Sequence, residues 1–300
     1  MTTRTRNSEL WFVNNSALHG RIAGLLAKLQ ARFNAKLYGF VIQGNHYHLL
    51  ASFPWCKKPK KKRADFMRDF NSGIQKILKY TTDYYPGGTL CERRFADQVV
   101  PLNGDIEDRV FYCALQAVHA GLCPRMSDYP GYNSFSDAAA GIIRKFQVVD
   151  WTEYHNKLRW DPEARVQDFT TTYTLKYERI PGYESLSRKD YQKVMLEKLE
   201  ERRQGILEKR KAEGKLGFPS LESIRSVKPG TRPKTTKKST RYSFRPLILT
   251  ACKETKKAYL AFYFAVKEAY AEASEKYRNG DRSVVFPPGT FLPACSYSTA

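Results

Sequence analysis

Lys36-Leu-Tyr-Gly-Phe-Val-Ile-Gln-Gly-Asn-His-Tyr-His-Leu-Leu-Ala-Ser52 places two runs rich in Tyr, Phe, Val, Ile and Leu on either side of Gln43-Gly44-Asn45. Aromatic and β-branched runs around a Gly-Asn break read as two strands, Lys36–Ile42 and His46–Ser52, or as one strand bulged at Gly44. The side-chain period of a strand is two, so His46 and His48 project from the same face. Apolar residues before and after the pair predict a central strand held by the core. A polar pair in such a place needs partners, and a divalent metal bound by two neutral imidazoles would supply one. Taken alone, the H-x-H pattern equally describes a hydrogen-bonded or surface pair.

Outward from this stretch, Thr2–Arg6 is a short first strand, and Ala17–Phe33 carries Leu18, Ile22, Leu25, Leu26 and Leu29 at the spacing of a one-sided helix. A second helix carries Phe66, Phe70, Ile74, Ile77 and Leu78. Pro86-Gly87-Gly88 then breaks the pattern before a strand-like Phe95–Val100. Glu107–Leu122 reads as a third helix with an acidic start, as the helix dipole favours. The order β-α-β-β-α-β-α predicts an α+β domain over residues 1–145, its helices segregated on one face of an antiparallel sheet. Residues 146–300 read as a basic, largely helical extension. It includes a charged helix from Ser187, its N-cap, to Lys211, and a helix over Lys253–Arg278. The stripe Tyr259, Phe262, Tyr263, Val266, Tyr270, Ala273 and Tyr277 of that last helix is most simply core.

The chain's 300 residues carry 51 Lys and Arg against 30 Asp and Glu, a formal charge of +21. The excess is divided: 21 basic and 12 acidic side chains fall in residues 1–150, 30 and 18 in residues 151–300. A basic tail on a neutral domain is thereby excluded, and a polyanion is the expected partner, nucleic acid ahead of an anionic membrane surface. No apolar run is long enough for a membrane span and no signal core follows Met1, so a cytoplasmic location is expected. The six cysteines are scattered without C-x-x-C spacing, which argues against a structural zinc site; Cys113 and Cys123 read as packing residues. Two segments concentrate positive charge: the loop Lys57, Lys58, Lys60, Lys61, Lys62, Arg63, and a flexible Pro-, Thr- and Ser-rich loop near 226–246 with Lys234, Lys237, Lys238 and Arg241. Both are candidate phosphate clamps, as are Arg93, Arg94 and Arg125. Solvated charge is the plainer reading of each.

The other chemical constellation is Tyr112-Cys-Ala-Leu-Gln-Ala-Val-His-Ala-Gly-Leu122. On a helix Tyr112 and Gln116 share a face and His119 lies a further turn along. A tyrosine attacking phosphorus must lose its proton while the phosphate charge is screened; two imidazoles and an amide oxygen could hold the metal that does so. Packing alone would also account for Tyr112, one of 19 tyrosines.

Val41-Ile-Gln-Gly-Asn-His-Tyr-His-Leu-Leu50 resembles the HUH signature of single-tyrosine transposases of the insertion-sequence type, in particular the REP-associated tyrosine transposases. Leu90-Cys-Glu-Arg-Arg-Phe95 is similar to that family's W-E-R-R-Y segment, and Tyr112–Leu122 to its Y-I-x-L-N-P-V-R-A-G-L helix. Gln116-Ala117 stands for the usual Asn-Pro and His119 for Arg. The resemblance implies a ferredoxin-like or RRM-like HUH nuclease core, Tyr112 as nucleophile, and His46, His48 and Gln116 as ligands of Mg2+ or Mn2+. It implies a bacterial, nucleoid-associated enzyme, monomer or homodimer, that cleaves and rejoins single-stranded hairpin DNA through a 5′-phosphotyrosine. A catalytically silent binder of structured single-stranded DNA or RNA, with the same sheet, is the alternative.

Overall fold

Local chemistry explains where the principal elements start and stop. A computed structural model of the chain describes residues 1–54, 63–102, 104–215, 217–233, 247–290 and 292–293. Strand β1 is Thr2–Arg4. Helix α1, Ser16–Phe33, begins where the Asn15 side chain accepts from the Leu18 N–H and ends at Asn34 in the left-handed conformation. Strands β2, Lys36–Ile42, and β3, His46–Ser52, form a hairpin through Gln43-Gly44-Asn45. Gly44 allows a close approach there, since a Cβ would lie 2.9 Å from both Leu10 and Val13 side chains. Further along come α2, Arg63–Thr81, α3, Gly104–Ala114, α4, Gln116–His119, and α5, Phe135–Ala140. Strands β4, Arg144–Val149, and β5, Thr170–Leu175, flank α6, Trp151–Leu158. The helices α7, Arg188–Ala212, α8, Leu221–Arg225, and α9, Lys253–Arg278, follow. The N-cap expected at Ser187 is present, its hydroxyl accepting from the Asp190 N–H at 3.2 Å.

The fold is α+β. An antiparallel sheet has the order β1-β3-β2, and β4 and β5 form a separate antiparallel hairpin. Leu37, Phe40, Ile42, Tyr47 and Leu49 turn to α1 and α2, where Phe70 packs ring to ring with Phe40, Tyr47 and Phe66. The other face does not stay open, contrary to the expectation of helices on one side. Six of the seven β2 residues are buried, so both faces need cover, and α3 packs against β2 and β3 from the opposite side. Tyr38 shares a small cavity there with Val110 and Phe135.

Two further expectations are corrected. The strand over Phe95–Val100 is not formed. Ala96 exchanges both backbone hydrogen bonds with Thr2, at 2.9 and 2.8 Å, whereas Val99 pairs instead with Leu247 and Leu249. The third helix is broken at Leu115. The carbonyls of Ala114 and Tyr112 are taken by side-chain amides, from Asn133 at 2.9 Å and Gln116 at 3.2 Å, and side chains that enter the ladder interrupt a helix.

The chain divides into two compact units, Met1–Asp97 with Leu102–Ser243, and Gln98–Pro101 with Phe244–Ala300. The boundary read near residue 145 falls inside the first unit. β4 and β5 pack on α1, where Gly24 leaves room for Phe146 and Val148, and Gln30 exchanges two hydrogen bonds with the Lys176 backbone. In the second unit the stripe on α9 is not a core: Phe262 is 66% exposed, and of the stripe only Ala273 is buried among the described residues. Cys113 and Cys123 are buried, as their apolar neighbours suggested.

Candidate active site

Strand β3 presents His46 and His48 on the face toward α3, their rings 4.9 Å apart and nearly perpendicular. On β1, Arg4 stands opposite His46 and Thr2 opposite His48. The tautomer of His46 follows from its neighbours. Asn45 donates its amide N–H to the Ser8 carbonyl at 3.2 Å, which turns its Oδ1 toward His46 Nδ1 at 2.7 Å. An amide oxygen only accepts, so His46 Nδ1 carries the proton and Nε2 keeps a lone pair. The Thr2 hydroxyl engages His48 Nδ1 at 2.8 Å. Such outer partners orient and polarise imidazoles that bind a cation through the other nitrogen.

Electrostatics keep both rings neutral. Burial, with Arg4 adding to it, pushes the His46 pKa down to about 4. Burial also pushes His48 to about 3, helped by His46, the amino terminus and Arg4. Neutral imidazoles are lone-pair donors at physiological pH.

Tyr112, 45% exposed on α3, faces this pair. Its ring lies 6.3 Å from that of His48 and 5.7 Å from that of His119, with the Arg109 guanidinium 6.0 Å away. His119 is held below its ordinary pKa by burial and by Lys209. Gln116 uses its amide nitrogen on the Tyr112 carbonyl, which leaves Oε1 as the atom with metal-ligand chemistry. No group of three His, Cys, Asp or Glu side chains converges among the described residues. A cation on the His46 and His48 nitrogens would therefore take the rest of its shell from oxygens, those of phosphate and water, with the Gln116 amide oxygen as the side-chain candidate on the turn after Tyr112. Hard divalent cations accept such oxygens, so the donor set fits.

The structure thus brings together His46, His48 and Tyr112, with Gln116 on the next turn. Arg93, Arg94 and Arg125 are exposed. Arg93 and Arg94 form no ion pair among the described residues, and Arg125 stands near Glu200. Arg63 pairs with Asp97 at 2.8 Å. Lys57, Lys58, Lys60, Lys61, Lys62, Lys234, Lys237, Lys238 and Arg241 lie outside the described residues. Among the described residues no helix is long and apolar enough to cross a membrane.

Several supporting residues were not singled out from the sequence. Thr2, Arg4 and Asn45 set the imidazoles, and Arg109 precedes Tyr112 by one helical turn. The i−3 spacing of Arg109 was available as a signal. The roles of Thr2 and Arg4 depend on strand register and had none. No family model, curated protein or solved structure matches the chain.

Proposed function

We propose that the chain is a metal-dependent single-stranded DNA endonuclease and strand transferase, of the transposase kind its motifs resemble, acting on hairpin DNA. The observation that carries this reading is the pair of neutral imidazoles, with the His46 tautomer set by Asn45, facing an exposed tyrosine of α3 on the same side of the sheet. The three-stranded sheet with helices on each face is compatible with a ferredoxin-like HUH core.

In the proposed step the Tyr112 oxygen attacks a backbone phosphorus. The P–O3′ bond breaks as the tyrosyl P–O bond forms, leaving a 5′-phosphotyrosine on one strand and a free 3′-hydroxyl on the other. The phenol proton leaves and the departing 3′-oxygen gains one, so the reaction is balanced without ATP. His119 is a neutral base alongside the phenol ring. His46, His48 and Gln116 would hold Mg2+ or Mn2+, which when bound polarises the scissile phosphate and screens its charge. Arg109, beside Tyr112, adds fixed positive charge where the phosphorane oxygens develop.

The test is a denaturing gel of the full chain with hairpin DNA and Mn2+. A covalent protein–DNA species is expected, absent in Tyr112→Phe and in His46→Ala. Its persistence in Tyr112→Phe overturns the nucleophile. Binding of the hairpin by the wild type with no covalent species in Mn2+ or Mg2+ replaces this reading with the silent binder.

A further inference from the structure

Helix α7 places basic side chains across from the tyrosine. Arg202, Lys209 and Arg210 stand opposite Arg109, Tyr112 and His119 around a cleft of about 580 Å3, with Lys215 at its rim. Two carboxylates line it and both are already paired, Asp108 with Arg202 and Glu213 with Lys215, each at 2.7 Å. Arg109, Lys209 and Arg210 form no ion pair among the described residues.

The arginines also have unmet donors. The Nε atoms of Arg109 and Arg210 are buried without a hydrogen-bond partner. A buried donor without a partner is costly, so neither guanidinium is spent on a structural hydrogen bond at its Nε. The guanidinium planes lie over aromatic faces, Arg109 over Tyr112 at 6.0 Å and Arg210 over Phe218 at 4.9 Å, and Arg210 also donates to the Gly217 carbonyl at 3.3 Å. Arg210 is further seated by Gly121. At φ +71°, a Cβ on this residue would meet the guanidinium at 2.5 Å.

We infer that this cleft is a phosphodiester-binding subsite that grips the backbone of a single DNA strand beside Tyr112. Planar guanidinium groups match phosphate oxygens in pairs, and the cleft volume is within the range of small-ligand sites. A strand lying there would pass the phenol with its backbone rather than its bases against α7. That this strand is the one cleaved rests on the function proposed above; binding itself does not.

The probe is a fluorescein-labelled oligothymidylate, which forms no hairpin, titrated with the full chain and followed by anisotropy over a series of salt concentrations. Arg109→Gln with Lys209→Gln is expected to weaken binding about tenfold. The slope of log affinity against log salt should fall by about 1.4, the value for two lost single-strand phosphate contacts. The exposed Lys209→Glu single variant, which disturbs no packing, is expected to weaken binding in the same direction. Unchanged affinity in both, or weakened binding with an unchanged salt slope, overturns the subsite. Displacement of the oligonucleotide by equimolar inorganic phosphate or thymidine monophosphate overturns the strand assignment in favour of a free anion. His46→Ala is measured in parallel: loss of the covalent product with retained oligothymidylate binding separates the chemistry from the grip. Absence of a covalent product in the wild type, with the salt-slope result intact, removes the proposed reaction and leaves the subsite standing.

Discussion

Asn45 Oδ1 lies 2.7 Å from Nδ1 of His46, and the Asn45 amide is turned that way by its bond to the Ser8 carbonyl. One side chain in the turn of a hairpin therefore decides which imidazole nitrogen is free. Removing it leaves the ring in place and its tautomer unspecified. Asn45→Ala is expected to lower Mn2+ affinity by about 10- to 100-fold, the usual cost of losing a partner behind a ligating histidine. Calorimetric titration with Mn2+ reads this directly, and wild-type affinity in the variant would detach Asn45 from metal binding.

Gln116 has two uses for one amide. Its nitrogen closes the Tyr112 carbonyl, and its oxygen is free to ligate. Gln116→Ala should cost roughly 0.5–1.5 kcal/mol of stability through the lost hydrogen bond. The covalent product should fall far more and be partly restored by raising Mn2+. A stability loss without any change in the Mn2+ requirement would confine Gln116 to the helix break.

His19 is buried on α1 with Nε2 2.6 Å from the Phe12 carbonyl, and burial depresses its pKa. A histidine whose folded pKa lies below its unfolded value of about 6.5 takes up its proton on unfolding. Stability must then fall as pH drops below about 6.5. His19→Gln keeps a donor near Phe12 but does not titrate. The urea midpoint of the wild type should therefore decline relative to His19→Gln between pH 7 and pH 5. Parallel curves would show that His19 protonates without penalty.

Phe70 is fully buried against Phe40, Tyr47 and Phe66, directly behind the strand that carries both histidines. Phe70→Ala should cost about 3–5 kcal/mol, by lost burial and the cavity left behind. Equilibrium denaturation measures the loss. A cost under about 1 kcal/mol would mean that α2 does not brace β3.

Short-range signals carried the first part of the fold. The apolar spacing from Leu18 to Leu29 foretold α1, the aromatic runs around Gly44 foretold the hairpin, and Ser187 marked the start of α7. Features decided by distant partners were not legible. The helix break at Leu115 depends on Asn133, whose amide takes the Ala114 carbonyl from 19 residues away. The stretch after Phe95 has strand composition, but Val99 pairs with residues around 248 rather than extending the bridge at Ala96. The cleft behind Tyr112 was hidden for the same reason: the mixed charges of the helix from Ser187 suit a solvated or a nucleic-acid-facing surface, and which of them meet Tyr112 emerges only when α7 is laid along α3 and α4. The histidine pair and the tyrosine were visible, while the partners that tune them required the register of β1.

The same long reach sets when the first unit is complete. Asn14 donates to the carbonyls of Ile224 and Val227, 210 and 213 residues further along, and Gln30 to that of Lys176, 146 residues away. During synthesis the hairpin with both histidines would emerge long before the segments that close over its amino-terminal loop and over α1. Contacts of such sequence separation form late and slowly, because the loop entropy must be lost before they are made. The histidines thus leave the ribosome roughly 180 residues before the clasp on Asn14 can form, and the loop that carries Asn14 gains its last partners only once Ile224 and Val227 have followed.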